Sequence, residues 1–268
     1  MTYGAQLYTI REHMQTREDF RRSMKRIAEI GFTCVQMSGV SAEISAEEIA
    51  ETCGENGLEI IITHTPPAKI LERTADVIRE HRLMGAKYVG IGMIPGDYNK
   101  DFARFLADFS PAAREINAAG LQFMYHNHEI EFERAHSGNR EHVSAATRSL
   151  EAGRASPYLV MDFIFENFPE IGFTLDTYWV QAGGADSAAW IRKLAGRVDV
   201  LHLKDFAIID GKAQMAEVFE GNMNWDAIFA AAKDSGVKYG MIEQDDCYGK
   251  CPFGCLELSL KNLNKWGK

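Results

Sequence analysis

Six times along this chain a helical pattern stops at a glycine and a short apolar run follows: EIGFTCVQM, ENGLEIIIT, LMGAKYVGI, AAGLQFMYH, LAGRVDVLH and DSGVKYGMI. Glycine just past a helix can take the left-handed conformation that closes it. A short, nearly continuous apolar run rich in β-branched and aromatic residues suits a strand buried on both faces. A unit of helix, stop and strand recurring at roughly 30-residue intervals is the signature of repeated βα units. The strand candidates are Tyr3–Tyr8, Cys34–Met37, Glu59–Thr63, Tyr88–Met93, Gln122–His126, Gly172–Leu175, Val198–Leu203 and Tyr239–Glu243. Helical spacing predicts Arg17–Glu29, Ala46–Glu55, Ile70–Leu83, Asp101–Ala118, Ser187–Leu194, Trp225–Lys233 and Cys255–Lys265 between and after them. Eight parallel strands with crossover helices close most simply into a barrel. An open doubly wound sheet would carry a glycine-rich phosphate turn after its first strand, where this chain has only Gly4.

The expectation is therefore an α/β chain folded as one (β/α)8 TIM barrel over residues 1–268, with an extended loop-helix insertion after strand five. That insertion, Glu129–Pro169, begins polar and ends apolar, and is predicted to form a loop and two helices partly covering the site. The chain's 268 residues match the usual length of such a barrel. A net charge of −9 without any basic run argues against nucleic acid as a partner. No segment approaches the ~20 apolar residues of a membrane span. The opening MTYGAQLYTIREHM lacks the pattern of a secretion signal, so a cytoplasmic location is expected. Five cysteines, an odd number, are expected to be reduced thiols. Cys247, Cys251 and Cys255 are spaced C-x3-C-x3-C but straddle Pro252 and Gly254 and lack a fourth ligand, so they are expected to be incidental or weakly redox-sensitive.

Barrel function sits at the carboxyl ends of the strands. Those ends carry Gln6 and Tyr8, Gln36, His64, Met93, then His126-Asn127-His128 followed by Glu129 and Glu131, then Asp176, His202 with Lys204 and Asp205, and Glu243 with Asp245. Ionisable residues closing apolar strands are costly unless paired or bound. Carboxylates and imidazoles from four successive strands form a hard-to-borderline donor set suited to Mn²⁺, Mg²⁺, Co²⁺ or Zn²⁺. His126 and His128 alternate with period two and can face one side, each as a ligand, a substrate hydrogen-bonding group or a proton shuttle. Taken singly, each residue has a plainer reading: Asp176 as a loop cap, Glu243 as a lysine partner, His202 as a structural imidazole.

YHNHEIEF, TLDTYWVQAGG, VLHLKDF, GNMNWDAIF and MIEQDD together resemble the xylose-isomerase-like TIM barrel superfamily of sugar isomerases and epimerases. Within it they are similar to the Tyr-His-Asn-His branch of sugar phosphate isomerase/epimerases and relatives of inosose dehydratase. The resemblance implies one divalent ion, manganese first, held by Glu131, Asp176, His202 and Glu243, with Glu129 the second choice for the first ligand. It implies a metal-dependent isomerase or epimerase working through a stabilised enediolate on a small sugar or polyol. Glu131 and Glu243 would then move the proton, with His126 and His128 assisting. His64, Lys204, Trp179, Gln6 and Tyr8 would hold the substrate. The alternatives are a lyase or hydratase acting on a keto-sugar, keto-glycoside or inosose, with His126 or His128 as base or leaving-group acid, and a non-catalytic sugar-binding barrel. Asp245 and Asp246 would repel phosphate, which favours a non-phosphorylated substrate. Assembly as a homo-oligomer is compatible with the resemblance.

Overall fold

The computed structural model describes residues 1–98, 101–134 and 158–267. Its barrel strands are β1 (Thr2–Gln6), β2 (Cys34–Met37), β3 (Glu59–His64), β4 (Tyr88–Ile91), β5 (Gln122–His126), β6 (Gly172–Asp176), β7 (Val200–Leu203) and, after a hairpin of β8 (Asp205–Ile209) and β9 (Lys212–Ala216), β10 (Tyr239–Ile242). The eight are all parallel and close in the order β1-β10-β7-β6-β5-β4-β3-β2. Around them lie α1 (Arg17–Ile30), α2 (Ala46–Glu55), α3 (Pro67–Glu72), α4 (Thr74–Met84), α5 (Phe102–Ala118), α6 (Val160–Asn167), α7 (Thr177–Ala182), α8 (Ser187–Lys193), α9 (Trp225–Asp234) and α10 (Pro252–Lys265). No described helix is long and apolar enough to cross a membrane.

All six glycines of the repeat have positive φ: Gly31 (110°), Gly57 (67°), Gly85 (71°), Gly120 (84°), Gly196 (82°) and Gly236 (73°). Each turns the chain from a helix into the next strand, which is why the repeat was readable. Helix starts are equally local: Thr16 accepts from Asp19 N, and Ser45 and Glu48 form a reciprocal cap.

Strand alternation sets two layers inside the barrel. Cys34, Ile62, Tyr88, Met124, Val200 and Met241 form an apolar floor. A side chain at Gly4 would strike Met241 Sδ at 2.6 Å and Cys34 Sγ at 2.8 Å, so the floor is full. Two residues further along their strands stand Gln6, Gln36, His64, His126, His202 and Glu243, the next inward layer. The outer core packs the helices on the strands. Phe105 and Phe109 of α5 lie 4.6 Å apart, and Phe105 meets Tyr125 at 5.7 Å.

Two expectations are corrected and one element is added. Strand one ends at Gln6, and Tyr8 belongs to a 3-10 turn, Leu7–His13, that Gln6 caps by accepting Tyr8 N at 2.6 Å. The single helix expected over Ile70–Leu83 is two, because Arg73 leaves helical geometry between α3 and α4. The β8–β9 hairpin was not anticipated, although Asp210-Gly211, both at positive φ, is a standard hairpin turn signal. Of the insertion after β5, the structure describes a 3-10 turn at Glu129–Phe132 and helix α6. Residues 135–157, and with them most of the predicted covering loop, lie outside the described residues.

Candidate active site

The inward layer carries polar groups that the barrel has removed from water. Asp176 and His202 are fully buried and sit opposite each other in the β6–β7 register, while His126 is 3% and Glu243 4% exposed. One ligand atom from each of His126, Asp176, His202 and Glu243 falls within 4.8 Å of the others. Three of these were expected to converge. The fourth, His126, was left open as ligand or shuttle.

The hydrogen bonds fix which atoms face inward. His126 Nδ1 lies 2.7 Å from the Gly92 carbonyl, which can only accept, so Nδ1 carries the proton and Nε2 presents a lone pair. That lone pair faces Asp176 Oδ2 at 3.4 Å. Gly92 is required here: a side chain would meet the His64 ring at 2.9 Å. His202 Nε2 donates to Gln36 Oε1 at 2.8 Å, which turns Nδ1 towards Glu243 Oε2 at 2.9 Å and Asp176 Oδ2 at 3.6 Å. Nδ1 and Glu243 Oε2 are in ion-pair range, but their directions do not make a hydrogen bond, and both atoms are buried. Glu243 Oε1 accepts from Gln6 Nε2 at 2.5 Å, and Asn127 Oδ1 accepts from Asp176 N at 2.9 Å. Each imidazole is thus anchored by one nitrogen and free at the other, the arrangement of metal-ligating histidines.

Lys204, 1% exposed, places its ammonium 3.0 Å from Asp176 Oδ2, 2.8 Å from Glu243 Oε2 and 2.8 Å from Asp245 Oδ2. Burial would lower its pKa, but the three carboxylates hold it well above the ordinary value. Burial would raise the pKa of Asp176 and Glu243, yet Lys204 and the neighbouring imidazoles keep both well below the carboxylate range. Burial also disfavours the His202 imidazolium, but Glu243 and Asp176 raise its pKa to about 9. His64 and His126 are held down by burial and by neighbouring imidazoles, and His128 is pushed down to about 3 for the same reasons. Asp245 is raised to about 7 by burial and the charge of Glu243.

A divalent ion fits this set. Two acceptors, His126 Nε2 and Asp176 Oδ2, face each other, and His202 Nδ1, buried without a hydrogen-bond partner, is turned with Glu243 Oε2 towards the same point. Asp176, Glu243 and Asp245 against Lys204 and one divalent cation balance to neutrality with both imidazoles neutral. Mixed nitrogen and carboxylate donors suit Mn²⁺, Co²⁺ or Zn²⁺ better than Mg²⁺.

A cavity of about 390 Å³ opens over these groups, lined by Tyr8, Ser38, His64, His128, Lys204 and Asp245 among others. His64 Nδ1 meets Ser38 Oγ at 3.2 Å, and its buried Nε2 has no hydrogen-bond partner. Tyr8 stands at the mouth under the Arg11 guanidinium, 4.4 Å from its ring. Trp179, half-buried, lies 5.2 Å from the His128 ring and 5.6 Å from Lys204 Nζ, beside the cavity rather than in its lining. Gln6 reaches the cluster through Glu243.

Glu131 is not brought to the cluster. Its buried carboxylate accepts from Tyr125 OH at 2.5 Å and from His128 N at 2.6 Å, closing the turn after β5. Glu129 is exposed. Gln36, Asn127 and Asp245 emerge as site residues that were not assigned roles. Gln36 was legible in principle, since it stands two residues past Cys34, on the face that Gln6 shares with the floor. Cys251 is exposed, Cys255 buried and Cys247 between, and no cysteine belongs to the metal-competent cluster found among the described residues.

With this geometry established, comparison places the chain. A family model for the xylose isomerase-like TIM barrel matches residues 24–244, so the protein belongs to that family. Among solved structures it is similar to a sugar phosphate isomerase/epimerase from Parabacteroides distasonis, at 22% identity and a TM-score of 0.76, covering 98% of this chain and 93% of that one. It is also similar to an L-ribulose 3-epimerase, at 15% identity and a TM-score of 0.66, covering 99% and 94%. A probable 3-DHS dehydratase from Bacillus anthracis matches at 15% identity and a TM-score of 0.67, covering 98% and 99%. At these identities the likeness is one of fold. No curated protein sequence matches the chain.

Proposed function

We propose that this protein is a divalent-metal-dependent sugar isomerase or epimerase, with His126, Asp176, His202 and Glu243 as the ligand set. The observation that carries the reading is the pair of facing acceptors, His126 Nε2 and Asp176 Oδ2, 3.4 Å apart in a buried layer beneath a sugar-sized cavity. His126 takes the place that the family resemblance offered to Glu131, whose carboxylate is engaged with Tyr125 and His128. A divalent ion held by these residues would supply Lewis-acid stabilisation of negative charge developing beside a substrate carbonyl.

The chain's own residues supply the rest. Glu243, held ionised, is the candidate base. His128 and His64, neutral and on the cavity wall, accept or relay hydroxyl protons, and Lys204 donates to a substrate oxygen. Tyr8 closes the mouth. The substrate class is a small sugar or polyol. Incubating the manganese-loaded protein with a panel of aldoses and ketoses in deuterium oxide tests the reading. Isomer formation with deuterium at the carbon beside the carbonyl is expected, and Glu243→Gln should lower the rate on the order of 10²-fold or more. A metal-loaded protein that binds sugars but exchanges no proton would instead be a binding barrel.

One observation favours a second reading, a lyase or hydratase on a keto-sugar, keto-glycoside or inosose. Asp245 lines the cavity, and burial and the charge of Glu243 raise the pKa of its carboxyl, a group that can pass a proton to a departing hydroxyl or glycosyl oxygen. Growth of an enone absorbance on a keto-sugar, with release of water or an alcohol, distinguishes this outcome from isomerisation.

A further inference from the structure

Two of the oxygens aimed at the proposed ion already hold a cation. Lys204 Nζ lies 3.0 Å from Asp176 Oδ2 and 2.8 Å from Glu243 Oε2. The same two oxygens face His126 Nε2 and His202 Nδ1. A divalent ion binding all four donors therefore competes with the ammonium for two of its three carboxylates. Lys204 is 1% exposed, and a buried ammonium stripped of its partners is strongly destabilising. The third carboxylate removes that difficulty. Asp245 Oδ2 accepts from Nζ at 2.8 Å, lies outside the ligand cluster and borders the cavity.

Resting on the metal reading above, the geometry points to Lys204 as the resident counter-cation of the metal-free site and to Asp245 as its docking point when a divalent ion enters. Nζ gives up Asp176 and Glu243, keeps Asp245 and remains beside the Trp179 ring at the cavity edge. Asp245 is thus a positioning residue: it acts on metal affinity through Lys204. The device protects two buried carboxylates from each other in the absence of metal, and leaves the ammonium on the cavity side, beside a bound substrate, in its presence.

Calorimetric titration of chelator-treated protein with manganese chloride, on wild type, Lys204→Met, Asp245→Asn and the double variant, tests this without any turnover. Removing the competing ammonium should tighten manganese binding at least about tenfold, and Asp245→Asn alone should weaken it about tenfold. In the Lys204→Met background, Asp245→Asn should change the affinity by no more than about twofold, because the residue through which it acts is gone. Manganese binding to Lys204→Met but not to wild type would be the same result in its strongest form. If wild type binds manganese and Lys204→Met binds it no more tightly, the metal reading stands and the lysine role is overturned. An Asp245→Asn effect of equal size in both backgrounds also overturns it, since Asp245 would then act only as a nearby charge. If no variant binds a divalent ion, the metal reading fails and takes this inference with it. Should Lys204→Met not fold, Asp245→Asn decides alone, and an unchanged affinity overturns the proposal.

Discussion

Asp205 follows Lys204 directly, yet the two side chains do unrelated work. The Asp205 carboxylate, fully buried, accepts from the backbone N–H of Phe206, Phe219, Gly221 and Met223 and from Trp225 Nε1, at 2.6 to 3.3 Å. It gathers the segment that leads into α9, and a side chain at Gly221 would strike it. Asp205→Asn replaces one acceptor oxygen by a donor facing donors, and should destabilise the protein by about 2–3 kcal/mol in a urea titration. The same residue-level reasoning separates His126 from Glu131. His126→Ala should weaken divalent-ion binding on the order of 10²-fold, whereas Glu131→Gln should change it little. Calorimetry on the two variants checks this, and the reverse order would return Glu131 to the ligand set.

At the level of elements, two buried groups tie neighbouring segments together and impose opposite pH dependences. Burial raises the Glu131 pKa from 4.5 to about 7, against the pull of its hydrogen bonds from Tyr125 and His128. The folded chain therefore holds this proton more tightly than the unfolded chain, and folding is penalised progressively as pH rises from about 4.5 to about 7. At 1.36 kcal/mol per pKa unit the penalty is on the order of 3 kcal/mol. Glu131→Gln should thus gain stability relative to wild type over that window in thermal melts, and a constant difference would refute the account. His81, on α4, does the reverse. Its Nδ1 lies 2.7 Å from Val77 O, and its Nε2 lies 2.7 Å from Thr63 Oγ1 of β3, which also meets Thr65 Oγ1. Burial holds this imidazole neutral and lowers its pKa below 6.5. The unfolded chain takes up the proton first, so stability is lost as pH falls below about 6.5. His81→Gln should flatten that acid limb at some loss of stability at pH 8.

For the whole molecule, a ligand that binds only the folded barrel stabilises it by mass action. At a hundredfold excess over its dissociation constant the gain is about 2.7 kcal/mol, a shift of several degrees for a domain of this size. Melting curves with and without chelator, repeated for Mn²⁺, Co²⁺, Zn²⁺ and Mg²⁺, should show the larger shifts with the first three. A melting point indifferent to all four would contradict the metal reading. The barrel was legible because its signals are local: six glycine stops, apolar strands and Thr16- or Ser45-type caps each act within a few residues. The site was legible as far as strand alternation carries. Asp176, His202 and Glu243 close apolar strands in chain positions that a parallel barrel must bring to one rim.

The sequence by itself determined the number and order of the barrel strands and the end of the barrel at which polar groups gather. Those features follow from periodicity, and periodicity is a property of the chain. Only the tertiary structure decided which polar side chain faces which. Glu131 is five residues past His126, yet it turns back to Tyr125 and the His128 amide, while His126 reaches Asp176 fifty residues on. Lys204 became the partner of three carboxylates from two strands, and Gln36 the anchor of an imidazole 166 residues away. Such choices depend on distances across a closed ring and on how each buried donor and acceptor is satisfied, and neither is set until the ring has closed.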